Sequence, residues 1–292
     1  MSSELNGEPM STTDPTIRTE DLARLRAAKA FIFDMDGVLY RGNDPLPGVS
    51  ELLAAIERRG ADYVLATNNS MASPEQYAER LGQMGLTVGV AKIQTSGTAT
   101  RDYLLQHLPA GAAVYVVGMP GLREQIHDVG GFAVAEPAEG VADTAAVVCG
   151  LDQQFTYEKL KAAFFAIRAG ARFIATNIDS SLPTETGFVP GAGTIVAAIR
   201  TATGVTPTVI GKPSPEVLIQ AALELDASPD QSVMIGDRLD TDILAGNRAN
   251  MLTAMVLTGV SSQADIADSE AKPDIVIAGL PELRHLLEAG NG

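Results

Sequence analysis

The sequence predicts an α/β protein whose core is a doubly wound parallel, Rossmann-like sheet. Short apolar runs of strand length alternate with segments of helix length, and short polar loops join them. That alternation is typical of βαβ units in a parallel sheet. The 292 residues, 46% of them hydrophobic, provide for one large domain or two ordinary ones with a buried core.

The first elements follow this alternation. Residues 1–17 are rich in Ser, Thr, Glu and Pro without an apolar period, so we expect a disordered tail. A helix over about 21–28 leads into the strand 30–33, which is rich in Ile and Phe as buried strands are. A helix over about 49–59 with one apolar face and a glycine after it precedes the strand 63–66.

The next helix has a clear start, and a second α/β block follows it. Ser73-Pro74-Glu75-Gln76 combines a serine N-cap, a proline at the first helical position and a glutamine that completes a capping box. Gly191-Ala192-Gly193 lacks the third glycine of a dinucleotide fingerprint, so we expect a connection between two domains there. The second block contains predicted strands 114–117, 145–149 and 172–175, and helices 122–129, 157–169 and 193–202.

The last third of the chain again alternates predicted strands with predicted helices, as the first third does. Ser214-Pro215 begins a helix that is predicted to end near residue 225. The predicted strands of this part are 208–210, 233–235, 252–257 and 275–277, and its other helices run from about 244 to 250 and from 281 to 288.

Polar residues follow four of these predicted strands. They are Asp34 and Asp36; Thr67, Asn68 and Asn69; Lys212; and Asp237 with Asp242. Because the carboxyl ends of neighbouring strands converge on one crevice in a doubly wound sheet, we expect these side chains to lie together. Asp34 and Asp36 share one face if the strand continues to Asp36. Two acids on one face repel each other unless a cation or a proton separates them.

Each of these residues also has a purely structural interpretation. Acids after a strand often only cap a helix or stabilise a turn, and Asp242 could simply favour a helix N-terminus. Residues 67–70 could form a turn, and Lys212 could be solvated. Pro45 stands where a calcium-binding EF-hand loop starting at Asp34 needs a glutamate, which excludes that type of site.

Taken together and in order, the four motifs resemble those of the haloacid dehalogenase-like phosphohydrolase superfamily. The detailed match is to the large-cap (type IIA) branch, which contains the NagD-type nucleotidases and the 4-nitrophenyl, phosphoglycolate and pyridoxal phosphate phosphatases. The resemblance covers about residues 24–287. It implies a hydrolase core domain of residues 18–107 and 206–292 and an inserted cap domain of residues 108–205. The motifs start at Asp34, Thr67, Gly211 and Gly236.

The resemblance implies a Mg²⁺-dependent phosphatase acting through an aspartyl-phosphate. Asp34 would be the nucleophile and a metal ligand. Asp36 would bind Mg²⁺ through its backbone carbonyl, and its side chain would protonate the leaving alkoxide and then deprotonate water. Asp237 would be the further metal ligand, and Asp242 would hold that network. Lys212 would pair with the phosphate and with Asp34.

Substrate contacts are implied in the same way. Thr67 and the amides of Asn68 and Asn69 would donate hydrogen bonds to the phosphoryl oxygens. In the relatives, a cap loop corresponding to residues 177–183 helps to set specificity, and pyridoxal phosphate phosphatases carry a histidine there, where this chain has Leu182. We therefore expect a small phosphorylated metabolite such as phosphoglycolate or glycerol phosphate, with pyridoxal phosphate or a nucleoside monophosphate as the alternative.

Two other classes of function are disfavoured. Halide departure needs no proton, and the dehalogenases lack an acid at the position of Asp36. A non-catalytic binding protein on a decayed fold is disfavoured because all the motif residues are intact.

Composition limits the partners. The chain has 21 Lys+Arg and 36 Asp+Glu, a formal net charge of −15. Such a surface repels nucleic acid and anionic membranes, so an anionic substrate needs a local positive site.

Cys149, the only cysteine, lies in an apolar run and is predicted to be a buried core residue. No long apolar segment or signal-peptide pattern is present, which indicates the cytoplasm. Relatives often form a homodimer through the cap, and the sequence leaves that possibility open.

Overall fold

The computed structural model describes residues 17–139, 143–184 and 187–289. Most of the predicted amino-terminal tail lies outside the described residues, whereas Ile17, assigned to that tail, packs against the hydrophobic core. The predicted fold class is confirmed: two separate parallel sheets are each covered by helices.

The bounds of the secondary structure are as follows. In chain order, the strands within the described residues are β1 (Ala30–Phe33), β2 (Tyr40–Arg41), β3 (Asp44–Pro45), β4 (Asp62–Thr67), β5 (Ile93–Thr95), β6 (Ala113–Val117), β7 (Ala133–Val134), β8 (Ala146–Cys149), β9 (Arg172–Ala175), β10 (Ser181–Thr184), β11 (Gly187–Pro190), β12 (Thr208–Val209), β13 (Ser232–Gly236), β14 (Leu252–Val256) and β15 (Ile275–Ile277). The α-helices of the same residues are α1 (Thr19–Ala27), α2 (Val49–Arg58), α3 (Pro74–Gln83), α4 (Ser96–His107), α5 (Pro120–Arg123), α6 (Tyr157–Arg168), α7 (Ala192–Thr203), α8 (Glu216–Glu224), α9 (Leu244–Arg248), α10 (Asp265–Asp268) and α11 (Leu280–Glu288). Two segments with π-helical hydrogen bonding, Glu124–Val129 and Leu239–Ile243, adjoin α5 and α9.

The first sheet has the strand order β15-β14-β13-β1-β4-β5, with every pair parallel. Its central strand β1 is completely buried because alternate side chains pack on opposite faces. Phe31 and Phe33 contribute to the core that includes Leu52 of α2 and Leu283 of α11. Ile32 packs in the core on the opposite face with residues of α8. The sheet is therefore covered by helices on both faces, as a doubly wound fold requires.

Helix α3 begins as the capping box predicts. The Ser73 hydroxyl accepts a hydrogen bond from the Gln76 N–H at 3.4 Å, and the Gln76 side chain accepts one from the Ser73 N–H at 2.9 Å. This reciprocal pair satisfies two amide groups that would have no partner within the helix. It fixes where the chain turns after β4, which carries the second polar motif.

The second sheet lies in the chain between β5 and β13 and has the order β12-β9-β8-β6-β7, again all parallel. Its two faces pack against different helices. Cys149 is fully buried in the core that includes residues of α6 and α7, which confirms its predicted role. Val148 faces the opposite core with Leu104 of α4.

The strand that precedes Lys212 belongs to this second sheet, whereas the sequence analysis assigned it to the hydrolase core. Thr208 is in register with Ile174 of β9. The ladder continues beyond β12, because the N–H of Ile210 donates to Ala175 at 3.0 Å and the N–H of Gly211 donates to Thr176 at 2.8 Å. A two-residue edge strand carries too little hydrophobic pattern to specify which sheet it joins. Lys212 therefore approaches the first sheet from the edge of the second.

Several elements were not predicted. Strand β5 and helix α4 connect the first sheet to the second. Strands β10 and β11 form an antiparallel hairpin, with Leu182 opposite Val189, where a loop had been expected. None of the helices in the described residues is long and apolar enough to cross a membrane.

Candidate active site

A cleft lies at the carboxyl ends of the central strands of the first sheet. Asp34 directly follows β1, Thr67 ends β4 and Asp237 directly follows β13, and all three line the cleft. The loop after β9 and the hairpin strand β10 of the second domain contribute Asp179 and Leu182 to the opposite wall. The structure thus brings every predicted site residue to one cleft, whose walls come from both domains.

The ammonium group of Lys212 holds the cleft together. Its Nζ atom lies 2.5 Å from Oδ1 of Asp34 and 2.8 Å from Oδ1 of Asp242, and it donates a hydrogen bond to the carbonyl of Ala66 at 2.9 Å. The side chain is only 2% exposed. Although burial alone lowers the pKa of Lys212, the carboxylates of Asp242 and Asp34 outweigh this effect and raise it. Lys212 is therefore a permanent cation.

Three carboxylates surround this region. Oxygen atoms of Asp34, Asp237 and Asp242 lie within 4.8 Å of one another. Oδ2 of Asp242 accepts hydrogen bonds from the backbone N–H groups of Asp237 (3.2 Å) and Arg238 (3.1 Å), and its Oδ1 faces Lys212. Both carboxylate oxygens of Asp242 therefore have partners within the protein.

Asp237 has an oxygen without a protein partner. Its Oδ2 accepts a hydrogen bond from the N–H of Val260 at 2.7 Å. Its Oδ1 is buried, and it has no hydrogen-bond partner among the described residues. A buried carboxylate oxygen without a donor is costly, and a divalent cation shared with Asp34 would satisfy it. The donor set is all oxygen, which suits Mg²⁺.

Electrostatics also favour a cation here. Burial raises the pKa of Asp34; Lys212 opposes that shift, whereas Asp242 and Asp237 add to it. Burial and then the charge of Asp242 raise the pKa of Asp237 to about 7. One ammonium does not balance three ionised carboxylates, so a bound cation would favour their ionised forms.

Two glycines make room for these carboxylates, and the sequence analysis did not single them out as packing positions. A Cβ atom on Gly259 would lie 1.8 Å from Oδ2 of Asp237. A Cβ atom on Gly236 would lie 2.2 Å from Cβ of Asp242. Any larger residue at either position must displace the carboxylate. Both glycines occur within or near polar motifs, which was the only available sequence signal.

Asp36 sits beside an aromatic and a guanidinium group. The Tyr40 hydroxyl donates a hydrogen bond to Oδ2 of Asp36 at 3.4 Å, and the Arg80 guanidinium lies 4.7 Å from the centre of the Tyr40 ring. Burial raises the pKa of Asp36, and Arg80, Tyr40 and Lys212 only partly oppose it. Unlike Asp34, Asp36 has no direct ion pair with Lys212 among the described residues, and burial is the largest influence on its pKa.

The second motif forms a tight turn at the end of β4. The Thr67 hydroxyl accepts a hydrogen bond from the N–H of Asn69 at 3.1 Å. The Asn68 amide is predicted from the sequence to donate to a phosphoryl oxygen. In the structure, the Asn68 side-chain amide donates to the Lys212 carbonyl at 2.8 Å and to Oδ1 of Asp179 at 3.1 Å. Asn68 therefore links the turn to both the lysine and the second domain.

Sequence reasoning did not single out Asp179 as a site residue. Burial raises its pKa to about 6, against the opposing effects of Arg238 and the Asn68 hydrogen bond. The backbone of its loop packs tightly against α7: a Cβ atom on Gly191 would lie 2.3 Å from the Asp179 carbonyl oxygen. Gly191 thus packs within the second domain, and the predicted connection between domains is wrong. The usable signal was the polar cluster that follows β9, as at the other strand ends.

Comparisons with known proteins identify the family. Residues 31–131 match the model of the haloacid dehalogenase-like hydrolase family, and residues 209–283 match an HAD-hydrolase-like model. The chain is 38% identical over 258 residues to an acid sugar phosphatase of Staphylococcus aureus, covering 88% of this chain and 97% of that protein.

Solved structures are similar over the same span. A 4-nitrophenylphosphatase from Thermotoga maritima superposes with a TM-score of 0.85 at 33% identity, covering 91% of this chain and 99% of that one. A glycerol phosphate phosphatase from Mycobacterium tuberculosis, crystallised in complex with magnesium, superposes with a TM-score of 0.80 at 33% identity, covering 89% of this chain and 77% of that one.

The packing of Gly259 against Asp237 predicts the behaviour of Gly259→Ala. The added methyl group must displace the Asp237 carboxylate, so we expect Mg²⁺ binding to weaken by about 10- to 100-fold, as measured by isothermal titration calorimetry. Gly89→Ala is the matched control, because Gly89 has a negative φ and a Cβ there meets no atom within 4 Å. Wild-type Mg²⁺ affinity in Gly259→Ala would contradict this assignment of Asp237.

Proposed function

The chain belongs to the haloacid dehalogenase-like hydrolase family, in the branch of the NagD and 4-nitrophenyl phosphatases, and we propose that its phosphatase reaction proceeds through phosphorylation of Asp34. It is a phosphoric monoester hydrolase that uses Mg²⁺. The observation that carries the proposal is the buried Lys212 ammonium bound to Asp34, beside an Asp237 oxygen that has no hydrogen-bond partner in the part of the chain that the structure describes. It accounts for both an ionised nucleophile and a cation site.

Asp34 attacks the phosphorus atom, and Lys212 keeps it able to do so. A carboxylate is a nucleophile only when ionised, and burial acts against ionisation. The ammonium at 2.5 Å from Oδ1 stabilises the charged form and leaves Oδ2 for the attack. The same fixed positive charge attracts the dianionic phosphate. Asp242 holds Lys212 from the other side at 2.8 Å, so the ammonium has one position.

The carboxylates of Asp34 and Asp237 and the backbone carbonyl of Asp36 would hold Mg²⁺. Bound there, the ion supplies positive charge that removes the repulsion between the nucleophile and the phosphate. Asp242 is a positioning residue: its oxygens bind Lys212 and two backbone N–H groups and thereby fix the turn that presents Asp237.

Asp36 gives its proton to the leaving alkoxide and then takes a proton from the water that cleaves the phosphorylated Asp34. Burial raises the pKa of its carboxyl group, which supports a protonated Asp36 at the start of the cycle. Its hydrogen bond from Tyr40 fixes the orientation of the carboxyl group. The two acids of the motif thus differ in one contact: within the described residues only Asp34 pairs directly with Lys212.

The turn at Thr67, Asn68 and Asn69 supplies hydrogen bonds to the phosphoryl oxygens. Thr67 and Asn69 line the cleft, and since the Asn69 N–H already donates to the Thr67 hydroxyl, the donors that remain for phosphate are the Thr67 hydroxyl and the side-chain amide of Asn69. The Asn68 side-chain amide already donates hydrogen bonds to Lys212 and Asp179. The hydrogen bond from Asn68 to the phosphate therefore comes from its backbone N–H. Its side chain instead holds the second domain over the cleft.

We assign the second domain the role of a cap. The sequence boundaries of residues 108–205 need extension at the carboxyl end, because β12 and the ladder to Gly211 belong to its sheet. Asp179 and Leu182 of this domain close one side of the cleft. A cap in this position excludes bulk water and admits only small substrates.

Replacement of the nucleophile tests the reaction. Asp34→Asn keeps the size of the side chain but removes the attacking carboxylate, so 4-nitrophenyl phosphate turnover with Mg²⁺ should fall by about a thousandfold or more. The exposed Asp268→Asn is the matched control and should keep wild-type turnover. An unchanged melting transition in Asp34→Asn would show that the fold is intact. Substantial turnover by that folded variant would refute Asp34 as the nucleophile.

Leu182 supports short, non-aromatic substrates such as phosphoglycolate or glycerol phosphate. It lines the cleft and offers no hydrogen-bond donor to a pyridine ring. We expect kcat/KM for phosphoglycolate or glycerol phosphate to exceed that for pyridoxal phosphate and for nucleoside monophosphates, as measured by phosphate release from a panel of monoesters. A preference for pyridoxal phosphate would overturn this use of Leu182.

We further propose a homodimer formed through the cap. Strand β7 is an edge of the second sheet, and its Val134 is 68% exposed; such an edge can pair with another chain. Light scattering after size exclusion should give a dimer for the wild type and a monomer for Val134→Glu. Val205→Glu, at another exposed valine of this domain, should remain dimeric. A monomeric wild type, or a dimeric Val134→Glu, would argue against this interface.

A further inference from the structure

A second, larger cavity adjoins the phosphate site on the side of the general acid. Its volume is about 530 Å³, within the usual range for small-molecule sites. Asp36, Asn69 and Leu182 line both this cavity and the catalytic cleft. Because Asp36 protonates the leaving oxygen, the space beyond Asp36 is where the leaving group of the substrate lies.

Two guanidinium groups line the cavity. Arg80 donates a hydrogen bond to the carbonyl of Gly42 at 2.7 Å, and Arg41 donates one to the carbonyl of Thr258. Within the described residues, neither arginine forms an ion pair with a carboxylate. These backbone bonds fix each guanidinium group in place and leave further N–H donors on both.

The position of Arg80 is fixed from a second direction. Its guanidinium lies over the ring of Tyr40 at 4.7 Å from the ring centre, and Tyr40 is completely buried. A stacked, hydrogen-bonded arginine loses little further entropy when it binds an anion. Arg80 is therefore a preorganised donor at the wall of the cavity.

Positive charge on the wall of the cavity comes from these two arginines. Asp36 and Asp237 line the same cavity, but within the described residues neither arginine forms an ion pair with them. In a chain with a net charge of −15, two such groups at one cavity form the local positive site that an anionic substrate requires.

We propose that the leaving group of the substrate carries a carboxylate that binds Arg41 and Arg80, so that the substrate is a phosphorylated hydroxy acid. This inference rests on the proposed function. A planar carboxylate matches the fork of N–H donors on a guanidinium group. A neutral polyol would leave both charges without an anion.

The test compares two substrates that differ only in this group. In 3-phosphoglycerate a carboxylate replaces the terminal hydroxymethyl group of glycerol 3-phosphate. The measurement is the ratio of kcat/KM for the acid to kcat/KM for the polyol, which cancels general damage to a variant. For the wild type with Mg²⁺ we expect a ratio of about ten or more, since a hydrogen-bonded charge pair contributes about 1.5–3 kcal/mol.

Variants of the two arginines test whether these residues cause the preference for the acid over the polyol. Arg41→Gln and Arg80→Gln should each lower the ratio by about tenfold, and Arg80→Lys should retain part of it because the charge is kept. Arg168→Gln, on the exposed surface of α6, is the matched control and should keep the wild-type ratio. A ratio near one in the wild type, or an unchanged ratio in both Gln variants, overturns the inference.

The failure of this inference can be told from the failure of the proposed function. If the wild type hydrolyses 4-nitrophenyl phosphate but shows no preference for the acid, or accepts neither member of the pair, only the assignment of Arg41 and Arg80 falls. If the wild type with Mg²⁺ releases no phosphate from any monoester, the proposed function falls and the inference falls with it.

Discussion

The contact of the buried Lys212 ammonium with two carboxylates is the interaction on which the site depends. It places a positive charge 2.5 Å from Asp34, whose ionisation burial opposes, and it contacts Asp242, which accepts a hydrogen bond from the backbone N–H of Asp237. Removing the ammonium would leave three carboxylates within 4.8 Å of one another without internal compensation. Asp34, Asp237, Asp242 and Lys212 therefore form one electrostatic unit.

The sequence predicted this unit because its chemistry is local to strand ends. Four polar clusters after apolar runs identified Asp34, Thr67, Lys212 and Asp237, and parallel pairing of β1 with β4 and β13 brings three of these positions together. The carboxyl ends of parallel strands must meet at one edge of a sheet, so no long-range information was needed. Helix α3 was equally predictable, since a capping box is read from adjacent residues.

Other features depend on contacts between distant segments. Strand β12 joins β9 because the edge of the second sheet is open there, and nothing in its few residues indicates that choice. Gly259 is small because Asp237 passes close to it, and Asp179 is a site residue because the second domain folds over Asn68. Each of these features depends on a contact between segments that are distant in sequence, and a local pattern does not encode such contacts.

The ladder that β12 shares with β9 has a mechanical consequence. Its backbone hydrogen bonds continue through Ile210 and Gly211, so the chain moves with the second sheet up to the residue before Lys212. If the two domains rotate to admit a substrate, the backbone torsions that change along this connection must lie at Lys212 or after it. Lys212, which contacts Asp34, is thus also the residue at which a rotation of the second domain would reach the first. Opening the cleft would then also move the ammonium group of Lys212 relative to the carboxylate of Asp34.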